Sequence, residues 1–523
     1  MKSVFLFLLA VAMCLPAGAS GRKTGGDKRV RQRPLPQLGG MTPASPEAVR
    51  QTEAFDFTLG RGWVEGQVAL DSGAGRLVTL RVPDLTEASG TRAVSDYLDV
   101  EGRFRFEVDM PCPAKMFLQY GDGQVVCYLY PDDTLRMTFR SADFDPDSDS
   151  EYGSVRFGEN RSGRASRHLF RFNKLRRETS RPATEEPTDM ASWIAFLRGK
   201  DSADRTTLDR YVAAEHPSPE VEEILRRGIG NLYAGYTWLG YAFGKRTVRP
   251  EQVRELHRTV GFPMTDDRNF VDLPGYRYAL YQTVLSYLYS DTSSVRTNRE
   301  KLVAALDSIR AEYPASLSRD VMCLNIFVDV AGGNKTPELY ARIYPLRERY
   351  IASPVVRRLV PSPEEVARTA EEKERGKNIY ELELKEPERF IGEIFAPYRG
   401  TGKVLYVDVW ATWCGPCRGE MPHSLKLHEE LKGKPVEFIY ICIDSEPAEW
   451  EKIKTALGIA ESGKQVLLTA DEGNILRHRM GFSGVPTYWV VDKEGRVRDA
   501  HIRGGARPSN PQARELLLKL AAE

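Results

Sequence analysis

The sequence predicts a multidomain chain: an antiparallel β-sandwich, an all-α middle region and a C-terminal α/β domain. Short alternating apolar segments separated by turn formers occupy residues 55–155. Apolar residues at three- and four-residue spacing occupy residues 160–375, and strand-like and helix-like segments alternate over residues 378–523. A chain of 523 residues is also too long for one ordinary domain and should hold roughly three.

Composition and charge exclude some classes of partner. The chain is 41% hydrophobic and 28% charged, which is typical of a globular protein with a sizeable core. Its net charge of +1 gives no basis for binding to nucleic acid or to an anionic membrane surface. We therefore predict no nucleic-acid partner.

The N-terminus predicts export. Lys2 precedes the apolar run Val4–Leu15, and the small residues Ala17, Gly18 and Ala19 follow. This order is typical of a secretory signal peptide over residues 1–19, cleaved after Ala19, and the apolar run is too short for a spanning helix. We expect the mature protein in the periplasm.

A second interpretation makes the chain a membrane-associated lipoprotein, lipidated at Cys14. It ranks lower because Met13 stands where a small residue is preferred. Residues 20–54 are basic, rich in Gly, Pro and Arg, and lack a hydrophobic period. They predict a disordered linker.

The sandwich is predicted from six alternating segments with turn formers such as Gly121-Asp122-Gly123 between them. The segments are Trp63–Leu70, Leu77–Val82, Phe104–Val108, Lys115–Tyr120, Val125–Tyr130 and Thr134–Phe139. The strings VEGQV, DVEGRFRFEV and YLYPDDTLRM within them resemble a β-domain of unknown function that precedes thioredoxin-like modules in exported bacterial proteins. Cys112 and Cys127 lie in this region, and a structural bridge and two free thiols are equally consistent with the sequence.

The middle region is predicted as helical, and Pro and Gly clusters divide it. The apolar spacing is clearest in six segments: Ile194–Leu197, Val221–Leu232, Val253–His257, Tyr276–Tyr289, Lys301–Tyr313 and Leu339–Tyr350.

The last region begins with a β-α-β pattern and ends with a hairpin and a helix. Predicted strands are Val404–Val409, Val436–Ile443, Gln465–Leu468, Thr487–Val491 and a segment near Val497. Predicted helices are Met421–Leu431, Glu449–Leu457, Ile475–Met480 and Pro511–Leu520.

The most informative feature is a C-x-x-C dithiol, Cys414 and Cys417, between the first strand and the first helix of this region. The strand–dithiol–helix order places Cys414 at a helix N-terminus. Free N–H groups and the helix dipole there stabilise a thiolate, which is the form of sulfur that attacks disulfides. The motif therefore predicts thiol–disulfide exchange with no cofactor beyond the cysteine pair.

Other interpretations of the motif fit less well. Haem attachment requires His directly after the second cysteine, and position 418 is Arg. A zinc site would recruit His423 and His428, but only five residues separate Cys417 from His423 and there is no second C-x-x-C, so we predict no metal. A purely structural disulfide is disfavoured because such tight, exposed pairs are easily reduced. The loop also differs from that of peroxidases.

The sequence VDVWATWCGPC around the dithiol resembles the active-site signature of the thioredoxin family. The pattern W-C-x-P-C-x-x-E-x-P, from Trp413 to Pro422, resembles the exported TlpA/ResA/CcmG-like branch. A second landmark, Gly484-Val485-Pro486-Thr487, precedes a hydrophobic strand. The resemblance covers residues 378–523 and implies a thioredoxin fold.

The dithiol's chemistry assigns roles to both cysteines. Cys414, expected to be the more exposed, is the nucleophile, and the more buried Cys417 resolves the mixed disulfide. The resemblance matches Asp408 to the family's buried acid, which accepts the Cys417 proton, and Glu420 to an acid that does similar work in the reductase branch. An alternative for Glu420 is an ordinary exposed charge on the helix.

The resemblance also implies a substrate-binding surface. Pro486 is expected to be cis and to face the dithiol. Pro486 has no N–H, so the adjacent Val485 backbone is expected to bind an extended substrate strand. Trp413 is expected to give the substrate an apolar rim, with Trp410 packed nearby.

These observations predict a periplasmic thiol–disulfide oxidoreductase of the protein-disulfide reductase type. Its partners would be disulfide-bearing exported proteins, and by family analogy a membrane thiol carrier would supply electrons. The Gly415-Pro416 dipeptide favours reduction. Two alternatives stay open: a disulfide isomerase or oxidase, and a redox-sensing binding protein whose N-terminal domains dock partners.

Overall fold

The structure is a computed structural model. It describes residues 57, 60–71, 75–87, 90–121, 123–144, 153–179, 190–230, 251, 257–259, 261–288, 298–332, 337–375, 377–482, 484–501 and 506–523. The predicted signal peptide, the predicted linker and most of the predicted helix Val253–His257 lie outside the described residues.

The first region is a sandwich of two four-stranded sheets. Its strands are β1 Gly60–Ala69, β2 Leu77–Pro83, β3 Thr91–Tyr97, β4 Arg103–Met110, β5 Ala114–Tyr120, β6 Gly123–Leu129, β7 Thr134–Arg140 and β8 Arg156–Phe157. One sheet has the order β4-β1-β7-β8 and the other the order β3-β2-β5-β6. A short 3₁₀ helix, Ser141–Phe144, follows β7.

The predicted β-sandwich is confirmed, with two corrections. β1 pairs with β7 in parallel, Trp63 opposite Thr134, whereas the other pairings in these two sheets are antiparallel. A parallel pair needs a long connection, which β2 to β6 provide. The sequence analysis missed β3, because this edge strand is exposed or half-buried after Thr91 and lacks a clear apolar alternation.

The two sandwich cysteines are buried free thiols, so the structure contains no bridge between them. Cys127 Sγ contacts the carbonyl oxygen of Met116 at 3.7 Å. Burial raises the pKa of Cys127 to about 12 and raises that of Cys112 as well. Both thiols are therefore protonated and unreactive near neutral pH.

The middle region is helical, as predicted. Its helices are α1 Arg161–Thr179, α2 Met190–Glu215, α3 Leu273–Leu288, α4 Arg299–Glu312, α5 Leu317–Gly332, α6 Pro337–Ile343, α7 Arg347–Tyr350, α8 Pro354–Arg358 and α9 Pro363–Arg375. Residues 219–230 are also helical, and 3₁₀ turns span Asp267–Asp272 and Tyr344–Leu346. The predicted segment Leu339–Tyr350 is thus divided in three, around Pro345.

Helix α1 covers the edge of the sandwich at β6. Ser166 Oγ accepts from the N–H of Tyr128 at 2.8 Å and donates to its carbonyl oxygen at 3.1 Å. Ser162 Oγ accepts from the N–H of Tyr130 at 3.1 Å. The two serines thereby satisfy backbone groups that an edge strand would otherwise expose.

The C-terminal region has a thioredoxin fold, as predicted. Its strands are β9 Val404–Trp410, β10 Val436–Cys442, β11 Lys464–Leu467, β12 Thr487–Val491 and β13 Val497–His501. Its helices are α10 Arg389–Phe395, α11 Gly415–Glu430, α12 Pro447–Ala456, α13 Ala470–Met480 and α14 Pro511–Ala522, with 3₁₀ turns at Glu386–Glu388 and Ala396–Tyr398. The sheet order is β11-β10-β9-β12-β13.

Strand β9 is the centre of this sheet and every one of its residues is buried. Val404, Tyr406 and Trp410 point into the core shared with α11 and α14. Leu405, Val407 and Val409 point into the opposite core, which is shared with α10 and α13. Helices on both faces explain why the strand sequence is continuously apolar apart from Asp408.

The sandwich packs directly against the C-terminal domain. Tyr97 Oη donates to Glu388 Oε1 at 2.8 Å, and Lys385 Nζ pairs with Asp96 Oδ1 at 2.8 Å. Leu77 and Tyr97 also pack against the core on the α13 side of the sheet. The site described below contacts the other core, so the sandwich supports the face of the sheet that lacks the dithiol.

Candidate active site

The two cysteines of the C-x-x-C motif lie at the start of α11. Cys414 is the N-cap residue, and its Sγ accepts a hydrogen bond from the N–H of Cys417 at 3.1 Å. Pro416 lies in the first turn, where a missing N–H breaks no helical hydrogen bond. This geometry favours a thiolate on Cys414, because the Cys417 N–H and the positive end of the helix dipole are directed at its sulfur.

The two sulfurs form a disulfide with an S–S distance of 1.96 Å and a Cα–Cα distance of 5.3 Å. Cys414 is 2% exposed and Cys417 is 0% exposed. Their order agrees with the expectation that Cys414 is the more accessible, but the difference is small. Gly415 and Pro416 between them are exposed, so this turn is the accessible part of the motif.

Asp408 lies in the middle of β9 and is 1% exposed. Burial, followed by the charge of Glu420, raises its pKa well above the usual value. Neither carboxyl oxygen has a hydrogen-bond partner among the residues that the structure describes. With the disulfide closed, the surroundings of Asp408 therefore favour its neutral, protonated form over the carboxylate.

Two tyrosines flank Asp408 in the sheet. Tyr440 of β10 and Tyr488 of β12 are both directly opposite Asp408 in the strand register. The Tyr440 hydroxyl bonds Ser424 Oγ of α11 at 3.0 Å, whereas the buried Tyr488 hydroxyl has no hydrogen-bond partner in the part of the chain that the structure describes.

Glu420 lies one turn after Cys417 and is bound by the loop before α14. Its carboxylate accepts from the N–H of Ser509 at 3.2 Å and from Ser509 Oγ at 3.1 Å. Arg507 Nε lies 2.9 Å from Oε1 as an ion pair, without the alignment of a hydrogen bond. The Glu420 side chain is only 12% exposed, so it is not an ordinary exposed helix charge.

The loop before β12 lies beside the dithiol. The Val485–Pro486 bond is cis, and Pro486 is buried. Thr487 pairs with Val409, which places the loop at the end of β9 that leads to Cys414. Val485 is half-buried and packs against the core cluster that contains both cysteines.

Trp413 is the most exposed aromatic residue at the site, with 63% of its surface accessible. Its Nε1 donates to the carbonyl oxygen of Asp444 at 3.0 Å. Asp444 has a φ of 49°, and its carboxylate pairs with Arg477 of α13. Trp410 is fully buried in the core below. The indole of Trp413 is thus held at the surface next to Cys414.

His423 and His428, which a zinc site would recruit, have separate surroundings. His423 is exposed, and His428 packs edge-on against Phe438 with the ring centroids 5.0 Å apart. The described residues hold no group of three or more His, Cys, Asp or Glu side chains arranged to bind a metal ion. Within the same residues, no helix is both long and apolar enough to cross a membrane.

Several residues of the site were missed by the sequence analysis. Asp444, Arg477, Tyr488, Arg507 and Ser509 contact or surround the predicted residues only because distant segments meet there. The alternation within β12 does place Tyr488 on the same face as Asp408 once the strands are paired. The other four carry no local sequence signal.

Three comparisons with known proteins concern the C-terminal region. Residues 399–517 match the Redoxin family. The chain is 30% identical over 96 residues to thiol-disulfide oxidoreductase ResA of Bacillus thuringiensis (strain Al Hakam), covering 18% of this chain and 53% of that protein. It is 31% identical over 96 residues to thiol:disulfide interchange protein HelX of Rhodobacter capsulatus, covering 18% of this chain and 50% of that protein.

Among solved structures, the thioredoxin domain of a thiol-disulfide oxidoreductase from Bacteroides vulgatus is 25% identical, with a TM-score of 0.21. That similarity covers 24% of this chain and 83% of the other. The chain spans about half the length of the curated relatives it matches.

Proposed function

We propose that this chain, whose C-terminal domain is a TlpA/ResA-like member of the thioredoxin superfamily, is an exported thiol–disulfide oxidoreductase that reduces disulfides of exported proteins. The observation that carries the proposal is the Cys414–Cys417 pair at the N-terminus of α11, beside a cis-proline loop. The pair is poised to alternate between disulfide and dithiol.

In the first step, the Cys414 thiolate attacks one sulfur of a partner disulfide. A bond forms between Cys414 and the partner, and the second partner sulfur leaves as a thiolate. The hydrogen bond that Cys414 Sγ accepts from the Cys417 N–H supports this role, because it stabilises negative charge on the attacking sulfur.

In the second step, Cys417 attacks Cys414 and releases the reduced partner. Its thiol must first lose a proton in a buried setting. Asp408 supports this step as the acceptor, since burial raises its pKa toward the range in which a base works near neutral pH. The proton then remains on Asp408 in the oxidised protein, in keeping with the neutral carboxyl group described above.

Glu420 has a different part in this scheme. Arg507 and Ser509 contact both of its carboxylate oxygens, which holds the side chain toward the loop before α14. Its negative charge raises the pKa of Asp408, so Glu420 tunes the base that accepts the Cys417 proton.

Trp413 and Val485, with the buried cis-Pro486 next to Val485, form the surface on which a partner would lie. The half-buried Val485 offers backbone groups to an extended strand, and Trp413 offers an apolar rim. Electrons for the next cycle would come from a membrane thiol carrier, and the protein would act in the periplasm. No further cofactor is needed, because the cysteine pair carries both electrons.

The reduction potential of the Cys414–Cys417 pair tests the proposal, with the mature protein equilibrated against a dithiol buffer. A value near about −270 mV is expected of a reductant. A value near about −120 mV would make the protein a disulfide donor. A Cys414→Ser variant is the control and should show no two-electron couple. If the wild-type protein shows none either, the redox function fails and a binding function replaces it.

A further inference from the structure

Asp408 is surrounded by hydroxyl groups that no part of the proposed cycle has used. Tyr440 faces it from β10, Tyr488 faces it from β12, and Tyr406 lies two residues before it on β9. Glu420 of α11 adds a negative charge, and the positive charge of Arg507 acts on Tyr488 from the loop before α14. Among the described residues, these are the titratable and charged groups that interact with Asp408 or with the tyrosines around it.

The three tyrosines differ in their hydrogen bonding. Tyr406 Oη donates to the carbonyl oxygen of Ala506 at 2.9 Å, and Tyr440 Oη bonds Ser424 at 3.0 Å. Tyr488 Oη has no hydrogen-bond partner within the described ranges, although Tyr488 is fully buried. Buried hydroxyl groups are nearly always hydrogen-bonded, so an unpaired one calls for a physical explanation.

The two residues that carry these unpaired groups are neighbours in the sheet. Asp408 and Tyr488 are directly opposite in an antiparallel pair, and their side chains project from the same face of the sheet. With the disulfide closed, both Asp408 oxygens and the Tyr488 hydroxyl lack hydrogen-bond partners among the described residues. A neutral carboxyl group needs a donor much less than a carboxylate does, so an ionised Asp408 would gain most from this hydroxyl.

We propose that Tyr488 is a positioning residue for the redox cycle, whose hydroxyl donates to the Asp408 carboxylate when the cysteines are in the dithiol form. This inference rests on the proposed function and deepens it. In the dithiol form, Asp408 is the ionised base and Tyr488 Oη–H stabilises it. When Cys417 gives its proton to Asp408 and the disulfide closes, the carboxyl group becomes neutral and the Tyr488 hydroxyl loses its charged acceptor.

A matched pair of variants tests the inference. Tyr488→Phe removes the unpaired hydroxyl, whereas Tyr440→Phe removes the hydroxyl that Ser424 already engages. Stopped-flow kinetics should follow the step in which Cys417 attacks the mixed disulfide and releases the partner, at pH values between 4 and 9. Without this donor the Asp408 carboxylate holds its proton more tightly. In Tyr488→Phe the pH at which the reaction rate rises should therefore lie about one unit above that of the wild type, so the rate on the acid side of the profile should be roughly tenfold lower. Tyr440→Phe should follow the wild-type profile.

Infrared difference spectra between the oxidised and reduced proteins give a readout that does not depend on a substrate. The carboxylic acid band of Asp408, identified by its loss in Asp408→Asn, should disappear on reduction. In Tyr488→Phe the pH at which it disappears should rise by the same unit.

Two results would overturn the role of Tyr488: unchanged profiles in Tyr488→Phe, or an equal shift in Tyr440→Phe. If the wild-type protein reduces no protein disulfide, the proposed function fails instead. In that case the infrared band still shows whether Tyr488 bonds Asp408.

Discussion

The β-sandwich and the C-terminal domain both bury cysteines, yet they bury them in different surroundings. Cys127 lies within a strand among apolar side chains, and burial alone raises its pKa to about 12. Cys414 and Cys417 lie at the first turn of a helix, with a backbone N–H directed at the Cys414 sulfur. We therefore expect thiols of opposite reactivity in two domains of one chain, according to whether the cysteine lies at a helix N-terminus.

The same contrast extends to carboxyl groups. Asp133, at the end of the sandwich, accepts hydrogen bonds from Ser162 Oγ at 2.7 Å and from the N–H of Thr134 at 2.8 Å. Burial opposes its ionisation, but these hydrogen bonds outweigh burial and lower its pKa. Asp408 has burial without hydrogen bonds, and its pKa is raised. A hydrogen-bonded carboxylate stabilises the fold, whereas a buried carboxyl group without hydrogen bonds favours its protonated form.

The largest expected effect comes from exchanging the reactive thiol. Cys414→Ser should abolish reduction of a protein disulfide such as that of insulin, because no thiolate remains to attack. Cys127→Ala is the matched change in the sandwich and should leave turnover per folded molecule within about twofold, since the loss of a buried sulfur affects only packing. Equal losses in both variants would contradict the contrast between the two domains.

Asp408→Asn should lower turnover about a hundredfold near neutral pH, because the amide accepts no proton from Cys417. The same substitution should lower activity but raise the free energy of unfolding at neutral pH. The folded pKa of Asp408 is raised, so the free energy of unfolding of the oxidised wild-type protein falls as pH rises above about 4, where the unfolded chain ionises. Asp408→Asn lacks this loss and should be more stable than wild type at neutral pH.

Asp133→Asn is the counterpart of that experiment in the sandwich. The folded pKa of Asp133 is lowered, so its carboxylate stabilises the fold above about pH 4 and the stability is lost as pH falls through the folded pKa. The variant should be less stable at neutral pH, with unchanged turnover. Urea unfolding at pH 4 and pH 7 measures both variants, and stability changes of the same sign would refute the comparison.

Trp413→Ala should raise the KM for protein disulfides several-fold while leaving the reaction with a small aromatic disulfide nearly unchanged. The exposed indole adds contact area only for a partner large enough to reach it. Trp413→Phe serves as the control, since it keeps an aromatic ring but loses the hydrogen bond to Asp444 and part of the contact area of the indole. A fall in kcat for both substrates would instead place Trp413 in the chemical step.

The smallest effect is expected where the two domains meet. Tyr97→Phe removes the hydrogen bond to Glu388 and should lower the free energy of unfolding by about 1–2 kcal/mol. Turnover should not change, because this contact lies on the face of the sheet opposite the dithiol. A change in the reduction potential would show that the sandwich influences the site through the sheet.

The sequence determined the local chemistry of this protein. The strand before the dithiol and the strand after Pro486 lie close to their predicted positions, because continuous apolar runs act over a few residues. The helix after the dithiol ends within one residue of its predicted end but begins at Gly415, six residues before its predicted start at Met421. The cis bond at Pro486 also agrees with the resemblance to the thioredoxin family. By contrast, the edge strand Thr91–Tyr97 was missed, since a half-exposed strand needs no apolar alternation.

Tertiary structure alone decided how the acids at the site are used. Asp408 and Glu420 are both carboxylic acids in the sequence, and nothing local distinguishes their ionisation. Folding buries Asp408 between β10 and β12 without a hydrogen-bond donor and brings Arg507 and Ser509 to Glu420 from about 90 residues away. Because desolvation and neighbouring charge set a pKa, and both depend on segments distant in sequence, only the folded chain assigns the proton.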